Sequence, residues 1–272
     1  LVGASEYTTA VDVDFVEIHA SIVDRRGRTI EDVRPEEVVL EEAGERQEIK
    51  RFELLRDLPI HAAVMIDTSS SMAEELDEAE RAALRFFGEV LTDRDRAAVV
   101  TFAEEPRLAV RFTRSLEVLA GGLAGLEAYG ETKIWDALAF TLHYFSGLRG
   151  KRALVLLTDG VDSSSRYPFA DVLEYAKRTG VAIYTVGLNV PRYPPDAGMY
   201  LDQLAHQTGG RTYRIDRAVA LGPIYETIER ELRSQYLIAY QSSHADGVEF
   251  RPLELDVERP GAQVSTVAGY YP

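Results

Sequence analysis

The sequence predicts an α/β protein: a doubly wound, mostly parallel six-stranded sheet flanked by helices, joined to a small β-sandwich-like domain built from both chain ends. Three observations predict it. Between residues 59 and 235, apolar runs of strand length alternate with amphipathic helical stretches, the pattern of a parallel sheet covered on both faces. Residues 1–58 and 236–272 instead alternate apolar and polar residues in short runs broken by turn residues, with no long helical pattern. Each end alone has too few strands to be stable, so pairing 1–58 with 236–272 around the segment 59–235 is the economical arrangement.

Taken in order, "VDVDFVEIHASIVD" alternates Val11, Val13 and Phe15, then Ile18, Ala20 and Ile22, with one slip between Phe15 and Ile18. Gly27 turns the chain, and Ala43-Gly44 signals a hairpin between two short runs. "HAAVMID" is a strand of buried type. "EELDEAERAALRFFGEVL" follows as a helix with Leu76, Ala79, Ala83, Phe86 or Phe87, and Val90 on one face, and its acidic run as a solvated surface. "RAAVVTFA" and "RLAVRFT" meet tightly through Glu105-Pro106, which makes the second antiparallel to the first. "SLEVLAGGLAGL" is a helix weakened by glycines, and "TKIWDALAFTLHYF" puts Ile134, Leu138, Leu142 and Phe145 on one stripe, with Trp135 in the core.

The strand "RALVLLTDG", the helix "FADVLEYAKRTG" stopped by Gly180, and the strand "VAIYTVGL" come next. A loop with Pro191, Pro194 and Pro195 leads to the helix "GMYLDQLAHQTGG", the short strand "RTYRI" and a helix from about Ala218 to Ser234. The strand "SQYLIAYQSS", a turn at Asp246-Gly247 and "EFRPLELDVERPG", alternating Phe250, Leu253, Leu255 and Val257, complete the pattern.

Composition narrows the function. The 272 residues carry 45 acidic against 30 basic side chains, a net charge of −15. That surplus disfavours nucleic acid and anionic membrane as bulk partners. There is no cysteine, hence no disulfide and no cysteine-based zinc site. No apolar run reaches the roughly 18 residues of a membrane span. The histidines are scattered, with none at metal-ligand spacing. No G-x-S-x-G, H-E-x-x-H or G-x-x-x-x-G-K-[ST] occurs, so an enzyme is not expected. Lys133 is the only candidate for a catalytic base.

The stretch "VMIDTSSSMAEEL" leaves a strand through an aspartate and four hydroxyl residues. Turns use such residues readily, so alone it reads equally well as a capped loop. Its neighbours in the fold sharpen it. Ligands of open α/β sheets sit beyond the carboxyl ends of strands, where the strand order reverses. Asp67 ends one strand, Asp159 in "TDG" ends another, and Thr132 lies in the loop before a helix. Asp67, Ser69, Ser71, Thr132 and Asp159 converging would offer only hard oxygens, which suit Mg²⁺, Mn²⁺ or Ca²⁺ rather than zinc. Asp162 and Ser163–Ser165, in the same loop as Asp159, read mainly as solvated loop.

These residues carry a resemblance. "DTSSS", Thr132 in "GETKIWDAL" and Asp159 in "TDG" resemble the three-part signature of von Willebrand factor type A domains with a metal-ion-dependent adhesion site. The order of elements matches that family from about residue 59 to 234. The flanking strands and Gly269-Tyr270-Tyr271 resemble bacterial secreted proteins described as VWFA-related. The resemblance implies that Ser69, Ser71 and Thr132 ligate the metal directly, with Asp67 and Asp159 acting partly through water. It implies a non-enzymatic binding module whose metal keeps an open position for an Asp or Glu of a protein partner. The expected rim is Thr68, Ser70, Met72, Tyr129, Gly130, Lys133, Asp162 and Tyr167. The start at Leu1, without Met or a leader, fits a processed product that is secreted, periplasmic or at the cell surface. Two other readings stay open: a structural subunit that self-associates through its β-domain, and a cytoplasmic assembly factor of chelatase type.

Overall fold

In chain order the strands of the first end are β1 (Phe15–Val23), β2 (Val38–Glu42), β3 (Glu45–Arg46) and β4 (Ile49–Leu55). Then come β5 (Ile60–Asp67), α1 (Leu76–Val90), β6 (Arg96–Phe102), β7 (Pro106–Thr113), α2 (Leu116–Leu123), α3 (Ile134–Tyr144) and β8 (Lys151–Thr158). They are followed by α4 (Phe169–Thr179), β9 (Ala182–Leu188), α5 (Asp196–Gln207), β10 (Thr212–Ile215) and α6 (Leu221–Arg233). The second end supplies β11 (Gln235–Gln241), β12 (Arg251–Val257), β13 (Gln263–Thr266) and β14 (Gly269–Tyr270). This computed structural model describes residues 15–56, 59–148, 150–192, 196–243 and 247–272. The expectations for Val11, Val13, Pro194, Pro195, Asp246 and the side chain of Val90 lie outside the described residues.

The central sheet has the order β10-β9-β8-β5-β6-β7. All its pairs are parallel except β6 with β7, which is antiparallel as the tight Glu105-Pro106 link requires. The chain passes from β5 to β6 on one side and returns to β8 on the other, so the order reverses at β5. Both faces are covered. Ile60, Ala62, Val64 and Ile66 point into a cluster with α1, α2 and α6, and Ala63 and Met65 into one with α3, α4 and α5. Phe86 and Phe87 are both buried, and Phe86 lies 4.7 Å from Tyr225 of α6. Each such side chain contributes about 1.5–3 kcal/mol by leaving water. The predicted stripe of α3 and Trp135 are likewise in the core. Gly180 ends α4 at φ 62°, a conformation that favours glycine.

The two ends form two four-stranded sheets, β13-β1-β11-β4 and β14-β12-β2-β3, that share a third core cluster. Here the sequence reading needs three corrections. Val16, Ile18, Ala20 and Ile22 face the core in unbroken alternation, so there is no slip, and Phe15 points outward at 55% exposure. The Ala43-Gly44 hairpin is short: β3 pairs with β2, and β4 crosses to the other sheet beside β11. In β12 the inward position expected for Phe250 belongs to Arg251, which pairs with the fully buried Glu42 at 3.4 Å. The last helix begins with a 3₁₀ turn at Ala218–Ala220 before α6. Among the described residues, no helix is long and apolar enough to cross a membrane.

Candidate functional site

β5 and β8 lie side by side at the point where the strand order reverses, and both end in hydroxyl and carboxyl groups. The chain leaves β5 by a turn in which the Ser69 amide donates to Asp67 Oδ1 at 2.8 Å. The other oxygen, Oδ2, accepts the Thr158 hydroxyl of β8 at 2.6 Å, and that hydroxyl accepts the Gly160 amide at 3.0 Å. Asp67 is wholly buried, and among the described residues no Lys, Arg or His pairs with it. Burial pushes its carboxyl up to about 6, against the pull of the Ser69 and Thr158 hydrogen bonds and with the help of the neighbouring Asp159 charge.

Ser69 Oγ and Ser71 Oγ are hydrogen-bonded to each other at 3.1 Å, with Ser69 buried and Ser71 exposed. Thr132 is buried, and its loop is tied to the loop after β8. The Thr132 amide donates to Ser163 Oγ at 2.9 Å, and its carbonyl accepts the Ser163 amide at 2.9 Å. Asp159, half-buried, accepts the Val161 amide at 3.0 Å. Three chain segments are thereby fastened around the ends of β5 and β8.

The donor set fits a hard divalent cation. Octahedral Mg²⁺ with bonds of about 2.0–2.1 Å places adjacent ligand oxygens roughly 3 Å apart, close to the separation of the two serine hydroxyls. A buried carboxylate whose partners among the described residues are neutral donors has a charge still to be met. Among the described residues no cluster of three or more His, Cys, Asp or Glu offers a competing centre.

The expected rim divides. Tyr129 and Tyr167 are 54% and 52% exposed, and Ser70 is exposed with its hydroxyl donating to Gly130 O at 3.2 Å. Gly130 holds φ 69°, and a Cβ there would meet the Glu104 side chain at 2.6 Å. Lys133 turns its ammonium toward Glu105 at 3.4 Å, a salt bridge that competes with a role as base. Thr68 and Met72 are not rim residues. Thr68 is buried with its hydroxyl on Phe102 O at 3.1 Å, and Met72 packs into the core beneath the loop. Asp162 also turns inward: it accepts the Ile134 amide at 2.8 Å and the Ser165 hydroxyl at 2.5 Å.

Asp162 and Ser163–Ser165, read from sequence mainly as solvated loop, therefore brace the start of α3 and the Thr132 loop. No periodicity or motif singles out Thr158 or Asp136 in the sequence. Asp136 is buried and accepts the amides of Arg166 and Tyr167 at 2.9 and 3.0 Å, which presents Tyr167 to solvent. Burial opposes its charge, but these bonds and Arg166 hold its carboxyl below the ordinary range. Only the position of Thr158, one residue before Asp159, hinted at its part.

Residues 63–227 match the family model described as von Willebrand factor type A domain. Among solved structures, the chain is similar to the conserved hypothetical protein BatB from Bacteroides thetaiotaomicron, at 18% identity over 63% of this chain and 98% of that one, with a TM-score of 0.53. It is similar to the vWF domain of the type V pili tip protein Mfa5 from Porphyromonas gingivalis, at 16% identity over 65% and 97%, with a TM-score of 0.55. Against the three N-terminal domains of the same tip protein the match covers 82% of this chain and 56% of that one, at 14% identity and a TM-score of 0.52. At these identities the likeness is one of fold. No curated protein matches the chain at the level of sequence.

Proposed function

The chain belongs to the von Willebrand factor type A family, and from that premise we propose that it is a non-enzymatic, divalent-metal-dependent binding module of adhesion type. The observation that carries the reading is Asp67: a buried carboxylate with no Lys, Arg or His partner among the described residues, beside two serine hydroxyls at the spacing of adjacent metal ligands. Asp67, Ser69, Ser71, Thr132 and Asp159 would hold Mg²⁺, Mn²⁺ or Ca²⁺. The ion, when bound, supplies a positive centre that takes a carboxylate from a partner's Asp or Glu. Around it Tyr129 and Tyr167 offer aromatic contact, and Ser70 polar contact. Since a single polar contact contributes about 1–3 kcal/mol, selectivity would rest on this rim and dependence on the metal would be absolute.

A surface location, whether secreted, periplasmic or on the cell envelope, is supported by the likeness to a pili tip protein. The test is calorimetry with Mn²⁺ and Mg²⁺, followed by capture of partners from envelope material with and without EDTA. Binding of metal by wild type and none by Asp67→Ala is expected. Tyr167→Ala should weaken a captured partner, read by surface plasmon resonance, with Mn²⁺ affinity unchanged. Partner binding undiminished in EDTA would refute the mechanism.

A further inference from the structure

The end of the central sheet opposite Asp67 holds a cleft of about 1090 Å³, between the amino-terminal ends of β8 and β9, the last turn of α4 and the terminal sheets. In a chain of net charge −15 its lining is cationic. Among the described residues, Lys151, Arg152, Lys177, Arg178 and Arg251 face it against one side-chain carboxylate, that of Glu17.

These cations are held differently. Lys151 donates to Leu232 O at 2.6 Å, and Lys177 pairs with Glu174 at 3.2 Å. Arg251 is engaged by Glu42, and Arg178 lies 3.6 Å over the ring of Tyr271. Arg152 has no ion pair among the described residues, and its guanidinium rests against Gly180, where a Cβ would meet it at 3.2 Å. Burial lowers the pKa of Arg152. His19 is held below its ordinary value by burial and then by the charges of Lys151 and Arg152, with Glu17 opposing.

One wall of the cleft is a strand edge. β11 pairs with β1 from Phe15 to Ala20, but on the other side β13 pairs with β1 only from Ala20 to Val23. The Thr266 hydroxyl of β13 donates to His19 O at 2.8 Å, so that carbonyl faces the β13 side. Alternate residues of an antiparallel strand turn their backbone groups to the same side, so those of Phe15 and Glu17 face it too. Among the described residues no strand covers them. An edge left open in mid-strand is a template for another chain.

We propose that this edge, inside the cationic cleft, takes an extended segment of a protein partner in which apolar and acidic residues alternate. A strand added beside Phe15–His19 gains main-chain hydrogen bonds and sends its side chains alternately to two faces. One face continues that of Val16 and Ile18, where Val267 and Tyr270 pack against the core, and it takes the apolar residues. The other continues that of Glu17 and His19, toward Arg152, and it takes the carboxylates. The site is separate from the metal end: the eight residues of β8, at roughly 3.3 Å each, put about 25 Å between them.

The probe is a fluorescein-labelled peptide, Val-Asp-Val-Asp-Val-Asp-Val, titrated with the full chain in EDTA and followed by anisotropy. Saturable binding is expected, weakened about tenfold or more by 0.3 M salt through screening of the ion pairs. Arg152→Glu, and the exposed Arg178→Glu should the first fail to fold, should each weaken it by roughly tenfold while Mn²⁺ binding stays as in wild type. Amide exchange at Phe15 and Glu17 should slow in the complex. Absence of saturable binding, indifference to both charge reversals, or equal binding by the fully N-methylated peptide would overturn the proposal. Full displacement by citrate at matched carboxylate concentration would also overturn it, by reducing the site to one for small anions.

Discussion

Asp67 ends β5, and Asp95, in the turn before β6, sits beside the first residue of β5; both are wholly buried, in opposite circumstances. Asp95 binds the first residue of β5: its Oδ1 accepts the Ile60 amide at 2.8 Å. Its Oδ2 accepts the Thr92 amide at 2.9 Å, the Thr92 hydroxyl at 2.6 Å and the Arg233 guanidinium at 2.7 Å. Burial works against its charge, but Arg233, Thr92 and the amides outweigh burial and hold it below the ordinary carboxylate range. Asp67 closes the strand with two neutral donors and is pushed up to about 6. A buried charge whose counterion comes from the chain itself fastens the fold. One without such a partner among the described residues is what the proposed metal site rests on.

The comparison breaks most visibly at Asp95. Asp95→Ala leaves Arg233 without its buried carboxylate and should cost about 3–5 kcal/mol in urea unfolding, with Mn²⁺ affinity of the folded fraction intact. Because the folded pKa of Asp95 is depressed, its contribution is fully present above the ordinary carboxylate pKa and is lost as pH falls through the folded value. The gap between wild type and variant should therefore hold at neutral pH and close only below about pH 4. An unchanged midpoint would show the clamp to be incidental.

Asp67→Asn should behave in reverse. It removes an uncompensated buried charge, so the metal-free protein should melt no lower than wild type. What disappears is the stabilisation by metal, about 2.7 kcal/mol at a hundredfold excess over Kd. A variant that still responds to Mn²⁺ would dissolve the contrast. Thr158→Val deprives Asp67 of a donor, should cost about 1–3 kcal/mol and should weaken Mn²⁺ binding, with Thr158→Ser restoring both. The smallest effect is expected from removing the chain ends. We propose that 59–235 and the paired ends, 1–58 with 236–272, are separate folding units. A 59–235 fragment should then give a cooperative melt and bind Mn²⁺ within about threefold of the full chain, since both ends of β5 remain in it. An unfolded fragment would refute that division.

The strand, turn and helix start at the Asp67 end were legible because their signal is local. A strand run, a hydroxyl-rich turn and a helix start leave a mark within a dozen residues, and Ile134, Leu138 and Leu142 print their burial as a period. What escaped was contact between distant segments. Thr158 matters through Asp67, Ser163 through Thr132, and Asp95 through Arg233, and no periodicity records such pairs. Phe15 misled for a related reason: with Val11 and Val13 it suggested one face, while Val16, Ile18 and Ala20 set the parity of the folded strand. Arg251 took an inward place in β12 because Glu42 waits there to neutralise it, which a hydrophobic pattern cannot foretell.

The way the chain enters and leaves the central sheet has a mechanical consequence. Leu55, the last residue of β4, and Gln235, the first of β11, are direct partners, so the connections to the central segment emerge side by side. A load applied to the central sheet at its Asp67 end and resisted by the terminal sheets pulls β4 and β11 in the same direction. The ladder between them is then not strained. The load passes to β1 along the ladder from Phe15↔Gln241 to Ala20↔Tyr236, in shear, where many rungs must yield together rather than one after another. Asp95, joining Ile60 to Arg233, keeps the two tethers abreast so that neither carries the tension alone.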